Sequence, residues 1–187
     1  IKELQERIGA WEGLNFTHGM LMGINMAEGD YEKALFYGEK QLNYAKNVKD
    51  TVKLIDALSN IGKVVLERGE PAASIPYIQE ALAMAQKNNY FEEQQLGLIN
   101  LGDAYLKMGQ INEAETNFKA CFDLSEKTGD SRYAPLATYY LGKLYHQTGR
   151  LKEAKIWLQK SVERECENIP LPDVVLLYGT LADIHLT

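Results

Sequence analysis

The amino-acid sequence predicts an all-α fold, a right-handed superhelical solenoid of antiparallel helical hairpins, and three observations carry that prediction. Gly29, Gly69, Gly109 and Gly149 stand 40 residues apart, and five residues after each comes a small residue, Ala34, Ser74, Ala114 or Ala154. Seven residues before the turn glycines runs a second column, Met22, Gly62, Gly102 and Gly142, continued by Ala182. Between these columns apolar residues fall at helical spacing, as in Leu58, Ile61 and Val65 before Gly69 and Ile75, Ile78 and Leu82 after it. A fixed period without insertion or deletion marks stacked supersecondary units, none of which can bury its apolar face alone.

Taken in chain order, residues 1–8 are in phase with 41–48, the end of a second helix, so the array is expected to extend upstream. First helices are expected near 11–28, 51–68, 91–107, 132–147 and 173–186, and second helices near 31–46, 71–87, 111–127 and 151–166. Each first helix stops at its turn glycine, because a left-handed helix end excludes a side chain. Pro71 follows one such stop, where the first turn of a helix has no use for the missing N–H. Asp50, Asp130 and Ser131 are candidate N-caps. Small residues at Gly62, Gly102, Gly142, Ala34, Ala114 and Ala154 allow close helix approach while large residues fill the neighbouring gaps, and a further column reads Gly38, Ile78, Phe118 and Leu158. The whole chain, 1–187, is expected to be one array with units at about 9–48, 49–88, 89–130 and 131–170 and a partial unit at 171–187, a fragment of a longer chain.

Composition narrows the function. Twenty Lys and Arg against 26 Asp and Glu, a net charge of −6, give no basic footprint for nucleic acid. No apolar run approaches the roughly 18 residues of a spanning helix, so no membrane partner is expected. Cys121 and Cys166 are too few for a disulfide framework and form no CxxC pair, which favours a reducing cytoplasm. Cys121 falls in a small core column and is expected to be an inert thiol. Asn15-Phe16-Thr17 matches the glycosylation acceptor pattern, a tripeptide common by chance. His18, His146 and His185 share no helical phase, so no metal is expected. There is no nucleophile motif, phosphate loop or paired-carboxylate motif, which argues against an enzyme and against a cofactor.

Leu101-Gly102-Asp103-Ala104-Tyr105, then Gly109, Ala114 and Phe118, together with Leu141-Gly142-Lys143-Leu144-Tyr145, Gly149 and Ala154, resemble the tetratricopeptide repeat. The period of 40 departs from the family's usual 34 and no proline closes the second helices. This resembles the longer-helix branch of kinesin light chains, Leu-Gly-Asn-rich adaptors and bacterial Rap-type peptide sensors. Unit one, with Met22, Asn25 and Gly38 in signature columns, matches least.

The resemblance implies that first helices line a concave groove. Asn60 and Asn100 resemble the asparagine with which this branch holds extended peptides, since one amide offers donor and acceptor together. The same two residues also fit plain solvated positions. Tyr140 occupies their column in unit four. Lys63, Asp103, Lys143 and Asp183 alternate in sign at the repeat period, as either inter-repeat ion pairs or ligand contacts. Leu96, Ile99, Leu136, Tyr139 and Leu176 form an apolar strip if exposed, as do Phe16 and Met20 at the other end. The peptide or partner site is therefore expected at Asn60, Lys63, Leu96, Asn100, Asp103, Leu136, Tyr139, Tyr140 and Lys143. Gly19, Ser59, Ile99 and Tyr139 stand where chaperone-tail binders of the family carry a lysine, which disfavours that ligand. The expected function is a protein interaction module whose groove takes a peptide or partner helix. The alternatives are a peptide-responsive sensor for an effector domain outside this sequence, or a scaffold dimerising through the array ends.

Overall fold

The computed structural model describes residues 2–129, 132–163 and 179. Among them are eight helices and no strand: α1 (Lys2–Ala27), α2 (Tyr31–Val48), α3 (Thr51–Glu67), α4 (Pro71–Asn88), α5 (Phe91–Lys107), α6 (Ile111–Thr128), α7 (Ala134–Gln147) and α8 (Leu151–Glu163). The chain divides into two compact units, Ile1–Asn88 and Asn89–Thr187. In the first, the hairpins α1–α2 and α3–α4 stack through α2 on α3. In the second, the hairpins α5–α6 and α7–α8 stack through α6 on α7, with a lesser contact of α5 on α7. The helical-hairpin fold is the one the sequence predicts.

Backbone chemistry sets the boundaries. The turn glycines Gly29, Gly69, Gly109 and Gly149 have φ of +78°, +92°, +73° and +73°, in the left-handed region. The amides that follow them close the helix ends, as Asp30 N–H does on the Asn25 carbonyl at 2.8 Å. Second helices end in the same way at Lys49, Asn89 and Gly129, with φ of +54°, +56° and +72°. Asp50 caps α3 by accepting from the Lys53 backbone N–H at 3.1 Å, as expected, and Asp30 caps α2 by accepting from that of Lys33 at 3.1 Å. Asp130 and Ser131 lie outside the described residues, as do Cys166 and the expected helix over 173–186 except Gly179.

One boundary differs from expectation. Residues 2–10 do not end a separate second helix but run without a break into α1. Where Asp50 caps α3, the equivalent position holds Ala10, which has no oxygen to accept the free N–H groups of a new helix start, so the helix continues.

Close approach within each hairpin explains the columns. A Cβ on Gly102 would stand 2.4 Å from Phe118 Cε1, one on Gly142 2.3 Å from Leu158 Cδ2, and one on Gly62 2.7 Å from Ile78 Cγ1. The first hairpin exchanges the partners: Met22 stands in the glycine column, and a Cβ on Gly38 opposite would meet Met22 Sδ at 3.4 Å and Ile61 Cγ1 at 2.9 Å. Met22, Ala34 and Val64 form the buried cluster that joins the first hairpin to α3. In the second unit Ile99, Ala114, Phe118, Cys121, Leu141, Tyr145 and Ala154 share one core.

Candidate functional site

The expected contact residues divide by depth. In the first unit Asn60 and Lys63 are half-buried on α3, and Lys63 pairs with Glu67 one turn on at 2.8 Å. In the second unit Leu96, Leu136, Tyr140 and Lys143 are half-buried, whereas Asn100, Asp103 and Tyr139 are buried, Tyr139 at 1% exposure. The reading of Ile99 and Tyr139 as an open apolar strip is thus corrected. Their column lies three residues before the glycine column that abuts the second helix, so helical geometry turns it toward the hairpin partner. Gly19, in the same column of α1, shows the direction: a Cβ there would stand 2.7 Å from Gln41 Nε2 on α2. Leu176 and Asp183 lie outside the described residues.

On α7 the aromatic and charged residues converge. The Tyr140 ring stacks on Phe118 with centroids 4.8 Å apart and planes 6° apart, and Tyr139 lies tilted against Tyr140 at 5.5 Å. Lys143 Nζ stands 5.8 Å from the Tyr139 centroid and 6.0 Å from that of Tyr140, within reach of cation–π attraction. The result is a half-buried ammonium fixed beside two rings. On α5, Lys107 Nζ pairs with Asp103 at 3.3 Å along the helix.

Sequence reasoning missed a second cluster, centred on Glu115 of α6. Its carboxylate accepts from Tyr145 Oη at 2.8 Å and from Arg150 Nη1 at 2.8 Å, and pairs with Lys119 Nζ at 2.6 Å. Arg150 also packs its guanidinium 4.2 Å from the Tyr145 centroid and pairs with Glu153. Burial acts to raise the Glu115 pKa, but hydrogen bonds from Lys119, Tyr145 and Arg150 outweigh it and hold the carboxyl below the usual range. Burial, helped by the Glu115 hydrogen bond, raises the Tyr145 hydroxyl. Bonds joining α6, α7 and the turn before α8 make this a tie between neighbouring hairpins. Glu115 and Tyr145 are 30 residues apart and share no column, so the repeat pattern carried no sign of the pair. The partial clue was the aromatic column that holds Tyr145.

Two further places bear on chemistry. A cavity of about 230 Å³ opens between α1 and α2, lined by Leu14, Asn15, His18, Lys40, Asn43, Tyr44 and Asn47. Cys121 is buried, and that burial pushes its thiol up to about 12, which keeps it protonated and poorly nucleophilic at neutral pH. Among the described residues no group of three or more His, Cys, Asp or Glu is placed to hold a metal ion. No helix among them is long and apolar enough to cross a membrane.

The family model for the tetratricopeptide repeat matches residues 94–164, the stretch that contains the Gly102–Phe118 and Gly142–Leu158 contacts. Residues 94–164 are thus similar to tetratricopeptide repeats. Two relatives are similar in sequence. Tetratricopeptide repeat protein 29 of Trypanosoma brucei brucei is 23% identical over 133 residues, 71% of this chain and 28% of that protein. Outer dynein arm-docking complex subunit 4 of Xenopus laevis is 24% identical over 143 residues, 75% of this chain and 26% of that protein. The chain thus spans about a quarter of the length of these curated relatives. Among solved structures, the fold is similar to BtubC (BKLC) from P. vanneervenii, with a TM-score of 0.77 and 15% identity over 90% of this chain and 70% of that one. It is also similar to aspartyl phosphate phosphatase F from Bacillus subtilis, with a TM-score of 0.79 and 15% identity over 91% of this chain and 44% of that one. At such identity these likenesses show the fold alone. A tetratricopeptide-like fold supports a protein–protein interaction module.

Proposed function

We propose that this repeat protein holds an extended peptide or a partner helix on the faces of its first helices. Asn60 and Lys63 make the contacts in the first unit, and Leu96, Leu136, Tyr140 and Lys143 make them in the second. Asn100, Asp103 and Tyr139 lie beneath and shape the surface. The supporting observation is the half-buried state of Asn60 and Lys63 on α3 and of Tyr140 and Lys143 on α7, in matching columns one helical turn apart. An amide on one helix and an ammonium with an aromatic ring on the other are groups that read peptide backbone and acidic side chains.

Selection from a displayed peptide library with the intact chain supplies the ligand for the test. Asn60→Ala should weaken the selected peptide about tenfold, the loss of one buried amide contact, and Lys143→Ala about as much. Helicity measured alongside should be unchanged. Unaltered affinity in two well-folded variants would move the interface off the first helices.

A further inference from the structure

Three first helices carry a charge in one column: Lys63 on α3, Asp103 on α5 and Lys143 on α7. On α3 and α5 the residue one turn further on has the opposite sign. Lys63 pairs with Glu67 at 2.8 Å and Asp103 with Lys107 at 3.3 Å. On α7 that position is Gln147, which offers no charge. The neighbours of Lys143 lie one turn back instead, where the rings of Tyr139 and Tyr140 stand 5.8 Å and 6.0 Å from Nζ. At those two positions α3 has Ser59 and Asn60, and α5 has Ile99 and Asn100. Packing holds both rings in place, since Tyr139 is buried and Tyr140 lies flat against Phe118 of α6. Among the described residues no carboxylate pairs with Lys143.

Cation–π attraction positions an ammonium but leaves its charge uncancelled, whereas an ion pair cancels it. Lys143 is half-buried, so folding has already stripped part of its water and ordered its side chain. A carboxylate arriving there is spared much of the desolvation and entropy that make exposed ion pairs weak. We propose that the ligand carries an aspartate or glutamate where it meets Lys143, and that this contact makes the second unit selective for acidic peptides. The proposal rests on the peptide-binding reading above and deepens it, because it fixes the chemistry of the partner. No such preference is expected on α3, where Lys63 already has Glu67. Leu136, half-buried one turn before Tyr140, continues the same strip with an apolar contact for a neighbouring ligand residue.

Parallel selections from a displayed random-peptide library, with the intact wild-type chain and with variants at Lys143, test the proposal. The wild type should enrich Asp or Glu at one peptide position. Lys143→Glu should turn that position to Lys or Arg. Lys143→Met keeps the apolar stem against the rings, and should still select peptides but without the acidic preference. A synthetic peptide from the wild-type selection should bind about tenfold more weakly when its acidic residue is replaced by the amide, and that difference should vanish on Lys143→Met. Circular dichroism should show all chains equally helical. Selected peptides without an acidic position, or with one indifferent to Lys143→Glu, overturn the proposal, while loss of their binding in Asn60→Ala would leave the groove reading standing. Asp183 lies in the same column as Lys143, 40 residues on. An acidic preference that emerges only in Asp183→Asn would make Asp183 the partner of Lys143 and also overturn the proposal. If the wild type enriches no peptide, or only peptides indifferent to both Asn60→Ala and Lys143→Ala, the groove reading fails and the proposal falls with it.

Discussion

In the fourth hairpin the small residue at the closest helix approach lies on the first helix, Gly142, and the large one on the second, Leu158; in the first hairpin the two are exchanged, as Met22 and Gly38. Both hairpins form, with Met22, Gly38, Leu158 and Gly142 all buried. What the repeat preserves is the combined volume of a facing pair. A column read one residue at a time makes the first hairpin look like a poor repeat, whereas the pair shows it to be an inverted one.

The hardest way to break the comparison is in the fourth hairpin. Gly142→Ala places a Cβ 2.3 Å from Leu158 Cδ2 and 3.2 Å from the Leu158 backbone nitrogen, so the side chain cannot simply rotate away. A loss of about 3 kcal/mol in urea denaturation is expected. In the first hairpin, Gly38→Ile meets only side chains, Ile61 and Met22, and should cost about 2 kcal/mol. Combining it with Met22→Gly rebuilds the arrangement of the other hairpins and should recover at least half of that loss; a strictly additive double variant would refute the exchange of partners.

Gly109→Val acts through backbone alone, since no atom lies within 4 Å of a Cβ there while φ is +73°. A loss of about 1–2 kcal/mol follows from the left-handed requirement. Smaller still is the Glu115 tie, found in the second unit. Its folded pKa is depressed below the ordinary 4.5, so its contribution is complete above that value and is lost as the pH falls through the lower folded value. The stability gap between wild type and Glu115→Gln should therefore be constant above about pH 5 and close on further acidification. The smallest effect is a gain. Lys49 holds φ of +54° at the end of α2, where α6 ends in Gly129, so Lys49→Gly should stabilise by about 0.5 kcal/mol in the same assay.

The helices and their glycine turns were legible because the period repeats one physical requirement, a left-handed residue followed by a new helix start, at positions that can be counted. Pro71, the cap at Asp50 and the inert Cys121 thiol followed from the same local chemistry. The course of residues 2–10 did not, because phase agreement with 41–48 says nothing about whether position 10 can cap a helix, and Ala10 cannot. The candidate site was legible in part. Column position chose the right helices, but depth depends on which way a helix is rolled against its partner, and the approaches of Gly19, Gly102 and Gly142 to their second helices fix that roll. The Glu115 tie was hidden for a different reason. It joins positions out of register, and a pattern search compares only positions in register.

The identical spacing of all four turns carries one more consequence. Because Gly29, Gly69, Gly109 and Gly149 leave the backbone at nearly the same φ and at the same point in the period, a chain cut at one of them and rejoined at the next loses one second helix and the first helix after it without shifting any later helix out of phase. Unequal recombination within such a gene yields readable products at every crossover between equivalent codons. A cut at Gly29 rejoined at Gly69 parts Met22 from Gly38 and sets Met22 against Ile78, two large residues where every hairpin pairs a large one with a glycine.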